Sequence, residues 1–453
     1  MTDRLTASLI ERYGSACVPR YTSYPTAPHF SAEINEADYR SWLAVLPEGA
    51  DASLYVHVPF CRAMCWYCGC HTTVAAREAP VTRYVASLLD EIRLVASHAS
   101  RPISVSHLHF GGGTPTMMRP DQMRALMAEL RARFVFRDSA EVAIGIDPRT
   151  LSPGMAAALG TSGFNRASLG VQSFDRAVQR AINRVQSFEE TKSAVDRLRA
   201  SGIARINFDL IYGLPLQSIE SCIDTVQMAL RLMPDRIAVF GYAHVPFFKK
   251  HQRRIEASSL ADGEERWAQA RAIADALVAA SYVEIGLDHF ALPDDPLALA
   301  AARGTLRRNF QGYTTDQAEL LIGLGASAIG RMPMGYVQNV VAIPEYQRRV
   351  ENGRLPIARG YRFNGEDCLR AALIERLMCD RRVDVGALCR TFSVDAASLL
   401  AHAKLEPFIA DGLLERQGTS IAVKPHAFPL VRSIAAAFDA HLSTAGDHHS
   451  RAI

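Results

Sequence analysis

The chain has almost no excess of charge. Its 50 Lys and Arg face 47 Asp and Glu, a formal balance of +3, and no basic run interleaved with aromatics tracks a nucleic-acid backbone. Nucleic acid is therefore not an expected partner. Long apolar runs are missing too. The N-terminus, MTDRLTASLIERYGSACVPR, carries charges throughout, where a signal peptide needs an apolar core, and no later run approaches the length of a membrane span. The expectation is a cytosolic protein. No fixed period repeats beyond an alternation of strand and helix.

What is present is enough apolar residue, 49% of 453, for the buried cores of two or three domains. Nine cysteines stand at 17, 61, 65, 68, 70, 222, 368, 379 and 389, four of them within residues 61–70. In a reducing compartment such crowding points to metal rather than disulfides.

Residues 1–50 read as a polar, proline-containing arm. Strands are expected at 53–58, 103–110, 141–146, 165–172, 205–212 and 236–244, and helices between them at 81–97, 120–133, 188–201 and 219–232. Strand, helix, strand in this order means an α/β fold with a parallel sheet. Six units fall short of the eight of a closed (β/α)₈ barrel. The expected fold is thus a partial (β/α)6 TIM-like barrel whose open side admits a large substrate. Beyond Asp262 the pattern reads as mostly helical, with candidates at 264–280, 316–326, 367–377 and 396–411. From 390 to 423 the order helix, helix, strand pair resembles a winged-helix module, which serves equally as a lid or packing domain. The expected domains are the arm 1–50, a barrel with its helical extension 51–340, and a mainly helical C-terminal domain 341–453.

Chemistry in such barrels gathers at the C-terminal ends of the strands, and the cysteines follow the first strand directly. Cys61-Arg-Ala-Met-Cys65-Trp-Tyr-Cys68-Gly-Cys70 offers soft thiolates, suited to Fe–S clusters, Zn²⁺ or Cu(I). A structural zinc site pairs two separated knuckles, and here there is one loop with no second half; a zinc loop stays the plain alternative. Three thiolates can hold three irons of a cube and leave the fourth open. The CxxxCxxC spacing resembles the radical S-adenosylmethionine superfamily, in which the amino and carboxylate groups of S-adenosylmethionine occupy that vacancy of a [4Fe–4S] cluster. Cys70 lies too close in sequence to Cys68 to join the same cube easily.

Gly111-Gly112-Gly113-Thr114-Pro115 follows the second strand and lacks the spacing and the lysine of a phosphate loop. Either it is a tight turn, or its free N–H groups approach the methionine end of S-adenosylmethionine. Gln172, Asp209 and Ala243 are expected at the ends of later strands, with Asn183-Arg184 opening a helix. Each is a candidate ligand contact, or a group that satisfies buried backbone.

Several stretches together resemble one family, the oxygen-independent coproporphyrinogen III oxidases: Arg20-Tyr-Thr-Ser-Tyr-Pro-Thr26, Leu54-Tyr-Val-His-Val-Pro-Phe-Cys61, the cysteine cluster, Gly111–Thr116, Gly170-Val-Gln-Ser-Phe174, Asp209-Leu-Ile-Tyr-Gly-Leu-Pro215, Tyr242-Ala-His244 and Asn309-Phe-Gln-Gly-Tyr313. The resemblance implies oxidative decarboxylation of two propionates of coproporphyrinogen III to vinyls without oxygen, in haem synthesis, by a 5′-deoxyadenosyl radical. It also implies an electron donor and an acceptor that the sequence leaves unidentified, and a monomer. By resemblance Cys61, Cys65 and Cys68 hold the cluster, and Tyr55, Gly112 and Ile329 meet the S-adenosylmethionine bound to it. A second S-adenosylmethionine would meet Tyr67, Gly113, Thr114, Gln172, Arg184, Asp209 and Ala243. Arg20, Tyr24, Phe310 and Gln311 are candidates to close over the macrocycle; core packing for Phe310 and interdomain hydrogen bonds for Arg20 and Gln311 are as good a reading.

Two positions depart from the family. Gly145, in Ala143-Ile-Gly145-Ile-Asp147, stands where a Glu is usual and could bond the ribose hydroxyls. Leu292 stands where a basic residue is frequent, which would matter if that residue met a propionate. These departures keep open a second reading, a non-catalytic or weakly active haem- or porphyrin-binding paralogue.

Overall fold

The computed structural model describes residues 7–14 and 16–442. One twelve-stranded sheet organises most of the chain. In chain order its strands are β1 (Asp51–Val58), β2 (Ser104–Gly112), β3 (Val135–Ile146), β4 (Arg166–Gln172), β5 (Arg205–Tyr212), β6 (Arg236–Gly241), β7 (Val283–Ile285), β8 (His289–Ala291), β9 (Leu320–Leu324), β10 (Ile329–Met332), β11 (Gly335–Asn339) and β12 (Ile357–Arg362). Neighbours run β12-β11-β10-β9-β1-β2-β3-β4-β5-β6-β8-β7. Strands β9 and β1 to β6 are mutually parallel. Antiparallel strands extend both edges, so the barrel stays open.

The crossovers carry α1 (Ala79–His98), α2 (Pro120–Arg133), α3 (Pro153–Thr161), α4 (Phe188–Ala200) and α5 (Ile219–Leu230), and α6 (Gly263–Ala279) follows β6. Their starts are chemically marked. Ser187 bonds the Glu190 N–H while Glu190 reaches back, a capping box that opens α4. Ser152 caps α3 through the Met155 N–H, with Pro153 in the first turn.

All six expected strands and the helices between them form. The region past Asp262 differs from its helical reading. Residues 316–326 hold no helix; they supply β9, inserted parallel beside β1. Leu320-Leu-Ile-Gly-Leu324 is buried on both faces, and such a strand reads as a continuous apolar run without period-2 alternation. Helix α3 escaped the sequence reading because Gly154-Met-Ala-Ala-Ala-Leu-Gly160 offers no polar face.

Near the C-terminus a helix Asp367–Asp380 precedes three short helices, Val385–Thr391, Ala396–His402 and Glu406–Ala410, the last two replacing one expected over 396–411. They pack on a three-stranded sheet of Arg382–Asp384, Ser420–Val423 and Leu414–Gln417, one strand more than the expected pair. Tyr13, Tyr21 and Tyr24 of the N-terminal arm are buried in this unit's apolar core. The helix Glu36–Leu43 instead buries Trp42 and Leu43 in the barrel core. The arm is therefore packed into both halves of the molecule. No helix of the described residues is long and apolar enough to cross a membrane.

Candidate active site

The period-2 alternation of the parallel strands divides the barrel chemically. Leu54, Val56 and Val58 of β1, with Val142, Ile144 and Ile146 of β3 and Ile206, Phe208 and Leu210 of β5, join the apolar core beneath the helices. The intervening residues Ser53, Tyr55, His57, His107, His109, Glu141, Arg166, Ser168, Asn207 and Asp209 line the interior. At the N-terminal ends of the strands these groups satisfy one another. Arg166 donates to Glu141 at 2.9 Å and to Asn207 at 2.9 Å, Arg236 to Asp295 at 2.7 Å, and His107 meets Asp316 at 3.1 Å. Asp316 also accepts from Ser53 Oγ. Nearby guanidinium groups outweigh burial and hold the Glu141 carboxyl down at about 2.

The opposite end carries the cysteine loop. A two-residue parallel ladder, Phe60–Cys61 with Thr73–Val74, closes its base. Backbone and side chains from three other segments fix it: Trp66 N–H donates to Ile182 O at 2.9 Å, Asn183 Nδ2 to Met64 O at 2.8 Å, Gln252 Nε2 to Tyr67 O at 3.0 Å. His251 Nε2 donates to Cys68 O at 2.7 Å and Lys249 Nζ to Cys70 O at 3.1 Å. The sequence reading missed Lys249, His251 and Gln252; they act on backbone carbonyls, which leaves no motif.

Donors also surround the sulfurs. Cys61 Sγ lies 3.4 Å from Thr114 Oγ1 and 3.3 Å from Thr72 Oγ1. Cys65 Sγ lies 3.6 Å from Arg184 Nη1 and 3.8 Å from Arg149 Nη2. At Cys61 burial still outweighs the two hydroxyls and pushes the thiol up. The Cys68 and Cys70 thiols are hydrogen-bonded to each other, which raises the first and lowers the second. Cys70 is thus a direct neighbour of a candidate ligand.

The glycines earn their place by packing. A Cβ at Gly112, where φ is +106°, would sit 2.7 Å from His57 Cε1, and one at Gly113 would sit 2.5 Å from Phe60 O. Two N–H groups of the run bond within the chain, Gly113 N–H to Val58 O at 2.8 Å and Thr114 N–H to Phe60 O at 2.7 Å. The run presses β2 against β1 and the cysteine loop. Tyr55 beside it donates to His57 Nδ1 at 2.9 Å, while His57 Nε2 donates to His71 O at 3.1 Å.

The polar residues expected at strand ends are placed differently. Gln172 does end β4, at a φ of +68°. Asp209 lies inside β5 rather than at its end, half-buried, with Ser168 Oγ at 3.2 Å. Burial raises its carboxyl to about 6, against the lowering effect of that bond. Ala243 follows β6 by two residues. Asn183 and Arg184 open no helix; they close the short helix Arg176–Ala181. There Arg184 donates to Gly170 O at 2.6 Å and pairs with Asp147 at 3.4 Å.

Two cavities adjoin the barrel. One of about 830 Å³ is lined by Arg20, Tyr24, Arg308, Phe310, Ile329 and Arg331 among others. The other, about 590 Å³, adjoins Arg20, Ala243, Arg266 and Arg308. Phe310 is not a core residue: it is 39% exposed and sets its edge on Tyr55 with centroids 4.5 Å apart. Tyr24 is buried and its hydroxyl accepts from Ala440 N–H at 2.9 Å. Gln311 is exposed.

The two departures resolve differently. A Cβ at Gly145 would meet only Phe110 O, at 3.7 Å, so the place of a longer side chain is open. Leu292 follows β8, which runs antiparallel to β6, and its N–H donates to Asp235 O at 3.0 Å. It therefore sits at the N-terminal end of the barrel, opposite the cysteine loop.

Among the described residues no three Cys, His, Asp or Glu side chains converge on one ion, whereas a cube takes one thiolate at each of three separate irons. Comparisons with known proteins agree. Residues 55–229 match the Radical SAM superfamily and residues 363–430 the HemN C-terminal domain. The chain is 56% identical over 448 residues to the oxygen-independent coproporphyrinogen III oxidase of Bradyrhizobium diazoefficiens, covering 99% of this chain and 100% of that one. It is 43% identical to the Pseudomonas aeruginosa oxidase, covering 97% of each. The solved structure of the Escherichia coli coproporphyrinogen III oxidase, described as a radical SAM enzyme, superimposes with a TM-score of 0.90 at 36% identity over 97% of this chain and 100% of that one.

Proposed function

Because this chain belongs to the oxygen-independent coproporphyrinogen III oxidase family, a radical SAM family that uses a [4Fe–4S] cluster and S-adenosylmethionine, we propose that it converts two propionates of coproporphyrinogen III to vinyls in haem biosynthesis. The observation that carries this reading is the loop of Cys61, Cys65 and Cys68, set at the C-terminal mouth of a barrel whose polar interior meets a cavity of about 830 Å³ at Phe310 and Ile329.

When bound, the cluster and S-adenosylmethionine supply the 5′-deoxyadenosyl radical that removes a hydrogen from a propionate β-carbon, after which loss of CO₂ and one electron leaves the vinyl. Cys61, Cys65 and Cys68 would ligate three irons, with Thr72, Thr114, Arg149 and Arg184 donating to the sulfurs. Cys70 stays outside the ligand set as a hydrogen-bond partner of Cys68. Tyr55, Gly112 and Ile329 would border the cluster-bound S-adenosylmethionine, and Tyr67, Gly113, Thr114, Gln172, Arg184, Asp209 and Ala243 a second one. Phe310, standing on Tyr55, would cover the reacting carbon and keep water from it. Arg20 and Gln311 would close the cavity from the surface, with Tyr24 anchoring the arm. The electron donor and acceptor lie outside the chain, which would act as a monomer.

Protein reconstituted anaerobically and given a reductant, S-adenosylmethionine and coproporphyrinogen III tests this by chromatography and mass spectrometry. The expected result is both 5′-deoxyadenosine and a tetrapyrrole lighter by two CO₂ and four hydrogens. Neither product, from protein with a full cluster, would favour the porphyrin-binding paralogue that the missing Glu at Gly145 suggests.

A further inference from the structure

The larger cavity holds an excess of positive charge that the protein does not neutralise. Arg307 and Arg376 on its wall are paired, with Glu375 at 2.8 Å and Asp380 at 2.7 Å. Three other guanidinium groups line it from three separate elements: Arg20 of the arm, Arg308 of the hairpin Arg307–Asn309 with Gly312–Thr314, and Arg331 of β10. None of the three has a salt bridge among the described residues. Arg20 makes only a 3.4 Å contact with Gly241 O.

Arg308 is the most telling. Its guanidinium lies over the Tyr313 ring, 4.5 Å from the centroid, and its Nη2 reaches Arg20 O at 3.4 Å. Its Nε and Nη1 are buried without any acceptor. Asp288, the carboxylate whose charge it feels, is hydrogen-bonded to His289 at 2.7 Å. Of the acids on the cavity wall, Asp316 and Glu375 are paired and Glu319 faces solvent. Buried donors are rarely left without partners, and an orphaned pair beside a cavity calls for an acceptor from outside the chain.

We propose that Arg308, Arg331 and Arg20 anchor the carboxylates of the substrate that are not being decarboxylated, and so select a tetracarboxylate macrocycle. This rests on the substrate reading above. The geometry serves it: Phe310 and Ile329 belong both to this cavity's wall and to the surroundings of Tyr55, since Ile329 lies against Gly323, the β9 partner of Tyr55. Carboxylates held on the three arginines would leave the remaining propionate on the side of the cluster. A tetracarboxylate has three that do not react in the first decarboxylation, one for each guanidinium.

The test is fluorescence titration of the reconstituted protein with coproporphyrin III, which has four carboxylates, and with deuteroporphyrin IX, which has two. Arg308→Ala should weaken coproporphyrin binding about 10- to 100-fold, the worth of a charge-assisted bond, with a smaller loss for deuteroporphyrin. Arg308→Lys should restore part of it, and the affinity for S-adenosylmethionine should not change. Arg331→Ala, which removes no internal bond and so carries little folding risk, should shift the preference in the same direction. Variants that bind both porphyrins as the wild type does, or that lose both equally, overturn the proposal. The two readings fail separately: protein that forms vinyl product with unaffected variants refutes the anchors alone, and protein that prefers four carboxylates but forms no product refutes only the reaction.

Discussion

The two ends of this barrel bury charge in opposite ways. At the N-terminal end Glu141, Asp295, Arg166 and Arg236 form a closed set with Asn207, and only Arg236 Nη2, 4.0 Å from Glu141, lacks a hydrogen bond. At the C-terminal end Asp209 has one hydroxyl for a partner, Arg308 has two orphaned donors, and Arg184 Nε is orphaned as well. The first end completes its electrostatics within the chain and holds the strands in register. The second leaves them incomplete, as expected of a surface whose partners are cofactors and substrate. Substitutions at the two ends should therefore part company, costing stability at one and function at the other.

The largest effect is expected at the sulfurs. Cys65→Ala should abolish the cluster's visible absorbance and all 5′-deoxyadenosine formation, while Cys70→Ala should keep the absorbance; loss of the cluster in Cys70→Ala would place that residue among the ligands. At the other end Arg166→Met strands Glu141 and half of Asp295. Chemical denaturation of the apo-protein should show a loss of about 3–5 kcal/mol, the usual cost of breaking a buried ion pair. Gly145→Glu puts a carboxylate into open space at the cofactor end, and S-adenosylmethionine affinity should rise about 10- to 100-fold by equilibrium dialysis. The smallest effect belongs to the surface. Arg93→Ala removes an exposed pair with Glu129 at 3.0 Å and should cost no more than about 1 kcal/mol in the same denaturation assay.

The same contrast explains what the sequence makes legible. Strand β5 and helix α2 occupy the residues expected of them, because Ile206, Phe208 and Leu210 alternate with polar neighbours and Pro120 marks a helix start. The cysteine loop is readable because ligand spacing is a local property. Residues 320–324 misread as helix because burial on both faces erases periodicity. Asp209 and Arg308 are legible only in part. Sequence shows that they are charged, and only the fold shows that β5 carries Asp209 into the interior and that Arg308 ends without an acceptor.

Asp209 tests the contrast most directly. Its folded-state pKa is raised from 3.8 to about 6, so the folded apo-protein keeps a proton that the unfolded chain releases between these values. The buried carboxylate then costs stability fully above pH 6 and nothing below about pH 4. Asp209→Asn should raise the unfolding free energy of the apo-protein at pH 8 by about 3 kcal/mol, with the gain fading toward pH 4, while 5′-deoxyadenosine formation by the reconstituted variant falls. A variant less stable than the wild type at pH 8, or equally stable and fully active, would show that Asp209 is held like the charges of the opposite end and would contradict the account.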